Sequence, residues 1–166
     1  MKKSLSYVAL GASLLVAGCG TAPEAVPATG SAADVVESYG YIILEDRGIT
    51  HSLVLDKALF FKGIYANAML RTWGLQRVAP DAYFGRTIDF HGFLVDGHPL
   101  EAQYGVDTIV TVMLSDGIPF GGLSSPAIVG LRGGSYSIDG KTIEQISGLS
   151  YEAFLDRWKQ TYGEQE

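Results

Sequence analysis

The polar residues that could do chemistry together fall in the middle of the chain, where Asp89 and His91 stand two residues apart. On a strand both side chains point the same way, because side chains alternate between the two faces. His98 and Glu101 follow in a predicted loop, so the four residues offer the nitrogen and oxygen atoms of a metal or catalytic site. The spacing is not specific for any metal. A solvated strand face followed by a turn at Asp96-Gly97 explains the same residues without a site.

The second group with chemical potential is the single cysteine, Cys19, which ends the run Val16-Ala17-Gly18-Cys19. Two lysines and a short apolar stretch over residues 5–17 precede it. This pattern is typical of an export signal, and the stretch is shorter than the roughly 20 apolar residues of a membrane span. With one cysteine in the whole chain, an intramolecular disulfide framework and a cysteine-rich zinc module are both excluded.

Small residues immediately before a cysteine resemble the cleavage site of bacterial lipoprotein precursors. The resemblance implies that residues 1–18 are a lipoprotein signal peptide, that Cys19 carries a diacylglyceryl group, and that its amine is often acylated as well. We therefore expect lipidation at Cys19. The alternative is an ordinary secretory signal that is cut near residues 20–22 and leaves Cys19 without a role.

Lipidation would place the protein on the extracytoplasmic side of the cell membrane, or on the outer membrane if the cell has two. Loss of Lys2 and Lys3 with the signal changes the formal charge from −6 to −8. An acidic body is repelled by an anionic membrane surface, so the lipid on Cys19 must hold the protein there. The same charge argues against a nucleic-acid partner.

The chain after the signal divides into a tether and one domain. Residues 19–33 are rich in Pro, Ala, Gly, Ser and Thr and lack bulky apolar side chains, which is typical of a flexible tether. Residues 34–163 show no internal repeat and no second linker, so we expect one globular domain there.

Helix and strand signals alternate along this domain. Residues 33–39 predict a short helix, and residues 41–45 and 49–55 predict two strands joined by the turn-rich residues 45–48. A long helix is predicted over residues 57–73, with Asp56 as its cap and Gly74 as its end. Its apolar stripe is Phe61, Ile64, Tyr65, Ala68, Met69 and Thr72.

The second half predicts three more strands, over residues 86–95, 106–114 and 118–121, with a hairpin at Asp116-Gly117. Thr142 and Gln145 form a capping box for a short helix that ends near Gly148. A last helix begins at Ser150, with an apolar face made by Tyr151, Phe154, Leu155, Trp158 and Tyr162.

These elements predict an α+β fold. Tight hairpins join antiparallel strands, and we expect a sheet of about four to five strands packed on one long helix, with a C-terminal amphipathic helix.

Over residues 34–130 the chain resembles an uncharacterised family of small lipoproteins from Gram-positive bacteria, a domain of unknown function. The motifs that carry the resemblance are Tyr39-Gly40-Tyr41, Tyr65-Ala66-Asn67, Gly74, Tyr83-Phe84-Gly85-Arg86, the run from Asp116 to Gly122, Ser124-Ser125-Pro126-Ala127 and Gly130. The family implies an envelope location and a compact α+β domain. It implies no activity, no cofactor and no catalytic residues.

Three further patterns have a structural explanation beside a functional one. Gly134 to Thr142 is similar to a phosphate-binding loop but has five residues between its glycines where four are needed, so a turn at Asp139-Gly140 before a capped helix explains it better. His51 alternates with apolar residues and is expected in the core or at its rim. Residues 121–126 could hold an anion or a peptide end, or mark a close approach of another segment.

The leading functional hypothesis is a non-enzymatic, lipid-anchored binding or interaction domain of the cell envelope, with an envelope protein as a candidate partner at a sheet edge. One alternative is a metal-dependent or hydrolytic surface enzyme that uses Asp89, His91 and His98. Another is a small-ligand carrier with a pocket between helix and sheet. The leading hypothesis requires no cofactor.

Overall fold

The structure is a computed structural model that describes residues 30–129 and 134–163. The predicted signal peptide (1–18), Cys19 and the tether as far as residue 29 lie outside the described residues, as does Gly130 of the family resemblance. The elements in chain order are α1 (Ala32–Ser38), β1 (Ile42–Val54), a 3-10 turn (Lys57–Phe60), α2 (Ala66–Gly74), a second 3-10 turn (Pro80–Tyr83), β2 (Thr87–Asp96), α3 (Pro99–Tyr104), β3 (Thr108–Ser115), β4 (Ile118–Pro126), β5 (Tyr136–Ser137), α4 (Ile143–Ser147) and α5 (Tyr151–Tyr162).

The strands form one antiparallel sheet in the order β1-β2-β3-β4-β5, so each strand pairs with its neighbours in sequence. The hairpin predicted at Asp116-Gly117 joins β3 to β4. Both of its residues have positive φ, 53° and 76°, as a two-residue hairpin loop of this type requires. The α+β class and the C-terminal helix are confirmed.

One long strand, β1, stands where the sequence predicts two strands and a turn. It pairs with β2 from Ile42 to Val54, with three register shifts along the way. Within the predicted turn, the Asp46 carboxylate accepts a hydrogen bond from the Gly48 N–H at 2.8 Å, and Gly48 has a φ of 66°. The turn residues form their local hydrogen bond, but β1 pairs with β2 on both sides of them. The strand therefore bulges there and does not reverse its direction.

The single long helix predicted over residues 57–73 is wrong. Asp56 caps the 3-10 turn, accepting from the Ala58 N–H at 2.7 Å. The chain then passes through Gly63, which has a φ of 86°, before α2 begins. Gly74 is the last residue of α2 itself, and a methyl group there would lie 2.6 Å from the ring of Phe154, so close packing against α5 explains this glycine.

Helices cover the sheet on both faces. On the first, which we call the α1 face, Val35 and Val36 of α1 pack with Phe93 of β2 and Val110 of β3. On the opposite face, the α2 face, the buried residues are Leu55, Phe60, Met69, Trp73, Ile88, Phe90 and Met113. A third cluster joins α2 to the two C-terminal helices through Leu70, Leu75, Ile143 and Phe154.

The helix signals near the C-terminus are confirmed. The Thr142 side chain accepts from the Gln145 N–H and the Gln145 side chain accepts from the Thr142 N–H, which closes the predicted capping box of α4. Ser150 caps α5 by accepting from the Ala153 N–H. Helix α3 is not predicted from the sequence, and it lies where a loop is expected.

The ring of Phe60 joins these parts of the α2 face. It is 2% exposed and meets Trp73 of α2 at 6.2 Å and Trp158 of α5 at 5.2 Å between ring centres. We predict that Phe60→Ala lowers the free energy of unfolding by about 3–5 kcal/mol, measured by urea denaturation. Ile64→Ala is the control, since Ile64 is 89% exposed, and it should change the value by less than about 0.5 kcal/mol. Equal losses in the two variants would contradict this role of Phe60.

Candidate functional site

Asp89 and His91 lie on β2 and face the same side of the sheet, as predicted, but each is already paired with β1. Ser52 Oγ donates to Asp89 Oδ1 at 2.5 Å, and His91 Nε2 lies 2.6 Å from Asp46 Oδ1. The His91 ring stacks on Phe93 with 4.5 Å between ring centres. The Gly48 N–H and, next, His91 hold the pKa of Asp46 below its ordinary value. These are two cross-strand pairs, and no hydrogen bond joins them in the described part of the chain.

His98 lies beyond the opposite end of β2 and is 2% exposed. Its Nδ1 accepts from the Leu100 N–H at 3.1 Å, so the ring caps α3, and its Nε2 donates to the Ile138 carbonyl at 3.1 Å. The Tyr41 ring covers it, with 4.7 Å between ring centres. Glu101 completes a capping box by accepting from the Gly97 and His98 N–H groups, each at 3.0 Å.

The structure therefore does not bring the four residues together. Asp96 lies five residues after His91 along the strand, a distance of about 16 Å, and His98 lies two residues further on. His98 and Glu101 hold the start of α3, while Asp89 and His91 tie β2 to β1. Among residues 30–129 and 134–163, no group of three His, Cys, Asp or Glu residues is arranged to hold a metal ion.

His51 lies on the apolar α2 face, at its rim. Its ring stacks on Phe90, with 4.0 Å between ring centres and 12° between planes. Burial lowers the pKa of His51 below its ordinary value, so the ring is neutral at pH 7. A register shift falls between Ile49 and His51, so the predicted alternation does not run unbroken through both residues.

Beside His51, a groove of about 540 Å³ runs between α2 and the sheet. We call it the α2 groove. Its lining is mostly apolar and contains no Lys, Arg, Asp or Glu; it consists of His51, Ser52, Leu53, Val54, Leu59, Tyr65, Ala68, Met69, Thr72, Phe90, Thr111 and Leu123.

The helix side of this groove follows from the sequence. Tyr65, Ala68, Met69 and Thr72 all belong to the predicted apolar stripe, although the helix that carries them begins later than predicted. The sheet side cannot be recognised in any one stretch of the sequence, because β1, β2, β3 and β4 each contribute residues to it. Only the pairing of the strands brings His51, Phe90, Thr111 and Leu123 to one surface.

A second cavity, of about 630 Å³, lies between the end of α2 and the C-terminal helices. Its cationic residues, Arg77 and Lys141, both bind the carboxylate of Asp139, at 3.2 and 2.7 Å. Burial alone would raise the pKa of Asp139, but the hydrogen bonds from Lys141 and Ser137 and the charges of Lys141 and Arg77 together hold it below its ordinary value. The cationic side chains of this cavity therefore form ion pairs within the fold.

The glycines of residues 121–126 mark close approaches of other segments. A methyl group on Gly121 would collide with the side-chain oxygen of Gln76, and the Gly122 N–H donates to that oxygen at 2.8 Å. A methyl group on Gly122 would lie 3.0 Å from Ile138. The turn predicted at Asp139-Gly140 is also present, since Gly140 has a φ of 81° and α4 follows.

The outer edge of β1 is the other exposed feature of the sheet. Ile42, Leu44, Ile49 and Val54 are each between 51% and 60% exposed. The same strand has three register shifts and carries Glu45, Asp46 and Arg47. Bulges and charges are the usual means by which proteins prevent another strand from adding to an edge.

The buried imidazole of His98 generates a pH prediction. Burial lowers its pKa, against the raising effects of the Ile138 carbonyl, Glu101 and Asp139. An unfolded histidine binds a proton near pH 6.5 while the folded one does so only at lower pH, so the free energy of unfolding falls as pH drops below about 6.5. We predict that the difference in free energy of unfolding between wild type and His98→Asn becomes smaller as pH falls, measured by urea denaturation from about pH 8 to about pH 5. A constant difference would contradict this assignment.

Comparisons with protein-family models, curated proteins and solved structures gave no significant match to this chain. In the part of the chain that the structure describes, no helix is both long and apolar enough to span a bilayer.

Proposed function

We propose that this protein is a lipid-anchored binding protein of the bacterial cell envelope, held on the extracytoplasmic side of the membrane by a lipid on Cys19. Its domain binds a ligand in the α2 groove and does not transform it. The sequence up to Cys19 supports the anchor, and the α2 groove supports the binding role. Asp89, His91 and His98 give no support to an enzyme because they belong to separate contacts.

The observation that carries the binding proposal is the size and lining of the α2 groove. A volume of about 540 Å³ is within the usual range for small-molecule sites, about 300–1,000 Å³. Apolar side chains line most of it, and a few polar groups stand among them: His51, Ser52, Thr72 and Thr111. This is the usual pattern of a site in which shape provides affinity and a few polar atoms fix orientation.

The lining also limits the chemical class of ligand. Without a charged side chain, the α2 groove offers no ion pair to a buried charge, and an unpaired buried charge is costly. The His51 ring is neutral at pH 7 because burial lowers its pKa. The ligand that fits best is therefore an apolar chain or ring system whose polar end stays in water, such as a fatty acyl chain.

The α2 groove is a better binding surface than the edge of β1. Strand addition needs a regular row of unpaired backbone groups, and the register shifts of β1 interrupt such a row. The three adjacent charged residues of β1 would also have to lie beside the added strand.

The binding proposal is tested with residues 20–166, expressed without the signal and therefore unlipidated. All described contacts of the sheet and its helices lie within residues 30–163, so this chain retains them. We predict that it binds a fluorescent fatty acid, cis-parinaric acid, saturably. Ala68→Trp should weaken that binding at least about tenfold, because the indole occupies the α2 groove.

Asn67→Trp is the matched control for this test. Asn67 is the neighbouring residue on α2, is exposed, and does not line the α2 groove. It should bind the probe like wild type. Equal binding by the two tryptophan variants, or no saturable binding by wild type, would refute the α2 groove as the ligand site.

The anchor is tested in the full chain. Cys19→Ser removes the thiol that forms the thioether, so the variant should lose incorporation of labelled fatty acid and move from the detergent-rich to the aqueous phase in Triton X-114 partition. Thr21→Ser, a mild change just beyond the cleavage site, is the control and should partition like wild type. Fatty-acid incorporation that persists in Cys19→Ser would show that Cys19 is not the lipidated residue.

A further inference from the structure

The hydrogen bonds around His51 define what this side chain offers to a ligand of the α2 groove. Its ring lines the groove beside Phe90 and is exposed at the rim. Its Nδ1 lies 3.3 Å from the hydroxyl oxygen of Thr50, the preceding residue. That hydroxyl donates to the Phe90 carbonyl at 3.0 Å. Because a hydroxyl has one proton to donate, the Thr50 hydroxyl can only accept from His51.

This contact decides which ring nitrogen of His51 carries the proton. Since Thr50 accepts, the proton lies on Nδ1, and in a neutral imidazole the other nitrogen, Nε2, is then a hydrogen-bond acceptor. Burial lowers the pKa of His51, so the ring is neutral at pH 7. Among residues 30–129 and 134–163, the hydrogen bond with Thr50 is the only one that the His51 ring makes. The rim of the α2 groove therefore presents Nε2 as an acceptor.

The neighbouring residue of β1, Ser52, adds to this preference for a donor. It also lines the α2 groove, and its hydroxyl donates to Asp89 Oδ1 at 2.5 Å, so its proton is used as well. The Asp89 carboxylate is thus bonded to a residue of the lining, and no Lys or Arg belongs to that lining. An anionic head group at this end of the groove would meet acceptors and a nearby negative charge, which is unfavourable.

The exposure of the polar lining residues indicates which end of a ligand lies beside His51. Thr72 and Thr111 are half-buried, whereas His51 is exposed. Met69, which also lines the groove, is buried. The polar end of an amphipathic ligand therefore belongs at the rim beside His51, and its apolar part belongs in the groove.

We infer that the ligand of the α2 groove is a lipid whose polar end is an uncharged hydroxyl, and that this hydroxyl donates to His51 Nε2. The inference rests on the proposed function, because it names the head group of the ligand proposed there. Fatty alcohols and acylglycerols have this chemistry. An ionised fatty acid offers only acceptors at its polar end, so its chain can bind while its carboxylate stays in water. In this assignment His51 sets head-group specificity, and Thr50 is a positioning residue.

The test compares three probes that share one fluorescent chain: cis-parinaryl alcohol, methyl cis-parinarate and cis-parinaric acid. At pH 8 the alcohol has an uncharged donor, the ester has no donor, and the acid is ionised. Residues 20–166 should bind the alcohol about three- to tenfold more tightly than the ester or the acid, which is the range of one net hydrogen bond. Equal Kd values for the alcohol and the ester, or tightest binding of the acid, would overturn the inference.

His51→Phe keeps an aromatic ring beside Phe90 and removes the acceptor. This variant should bind the alcohol no more tightly than the ester, while the Kd of the ester stays within about twofold of the wild-type value and so reports an intact groove. His91→Phe is the matched control, since His91 stacks on Phe93 on the α1 face and does not line the α2 groove. The control should keep the wild-type preference. A preference that persists in His51→Phe would overturn the role of Nε2.

Thr50→Val removes the hydroxyl that places the proton on Nδ1 and keeps the size of the side chain. Both tautomers of His51 then become accessible, so the preference for the alcohol should fall at least about twofold while the Kd of the ester is unchanged. An unchanged preference, or an equal loss of affinity for all three probes, would overturn the assignment of the proton to Nδ1.

The outcomes separate this inference from the proposed function. If none of the three probes binds saturably, the α2 groove is not a lipid site and the proposed function fails. If all three bind saturably with equal Kd values, the groove is the ligand site and only the assignment of the head group fails.

Discussion

The packing of Phe60 is the contact on which the α2 face depends. The residue belongs to a single 3-10 turn after β1, and its ring meets rings from α2, from α5 and from Phe84 just before β2. The helices that it joins have 9 and 12 residues, and helices of this length are marginal on their own in water. Their stability therefore comes from apolar packing on the sheet, and the Phe60 side chain packs against both helices.

The shortness of α2 explains why this face has a groove. The nine residues of α2 extend about 13 Å and the helix is about 10 Å wide, whereas the eight residues of β3 extend about 26 Å. Part of the apolar surface of the sheet thus lies beside α2 and not beneath it, and Thr111 and Leu123 line that part.

The sequence predicts the features of this fold that depend on adjacent residues. The Asp116-Gly117 hairpin and the Thr142–Gln145 capping box each need only a few consecutive residues, and both are present. The turn at residues 45–48 and the helix over 57–73 are local signals too, but contacts distant in sequence override them. Pairing with β2 keeps β1 continuous, and burial of Phe60 directs the chain away from a continuous helix.

The candidate sites show the same difference between features that depend on adjacent residues and contacts that are distant in sequence. Alternation along one strand correctly places Asp89 and His91 on the same side. The role of His98 is not visible in the sequence, because histidine is not among the preferred helix caps and its second partner, the Ile138 carbonyl, lies 40 residues away. The helix side of the α2 groove is visible in the sequence as a stripe of residues at helical spacing, whereas its sheet side forms only when four strands pair.

Most of the polar side chains considered as candidates for chemistry serve the fold. Asp56, His98, Glu101 and Thr142 cap helical turns, and Asp46 and Asp89 join β1 to β2. The α2 groove differs from these contacts, because its lining is mostly apolar and contains no charged side chain. In the proposed arrangement a tether confines the groove near the bilayer, where effective concentrations reach the millimolar range. Weak contacts are sufficient under that confinement, so shallow, shape-based binding suits an anchored domain better than it would suit one that diffuses freely.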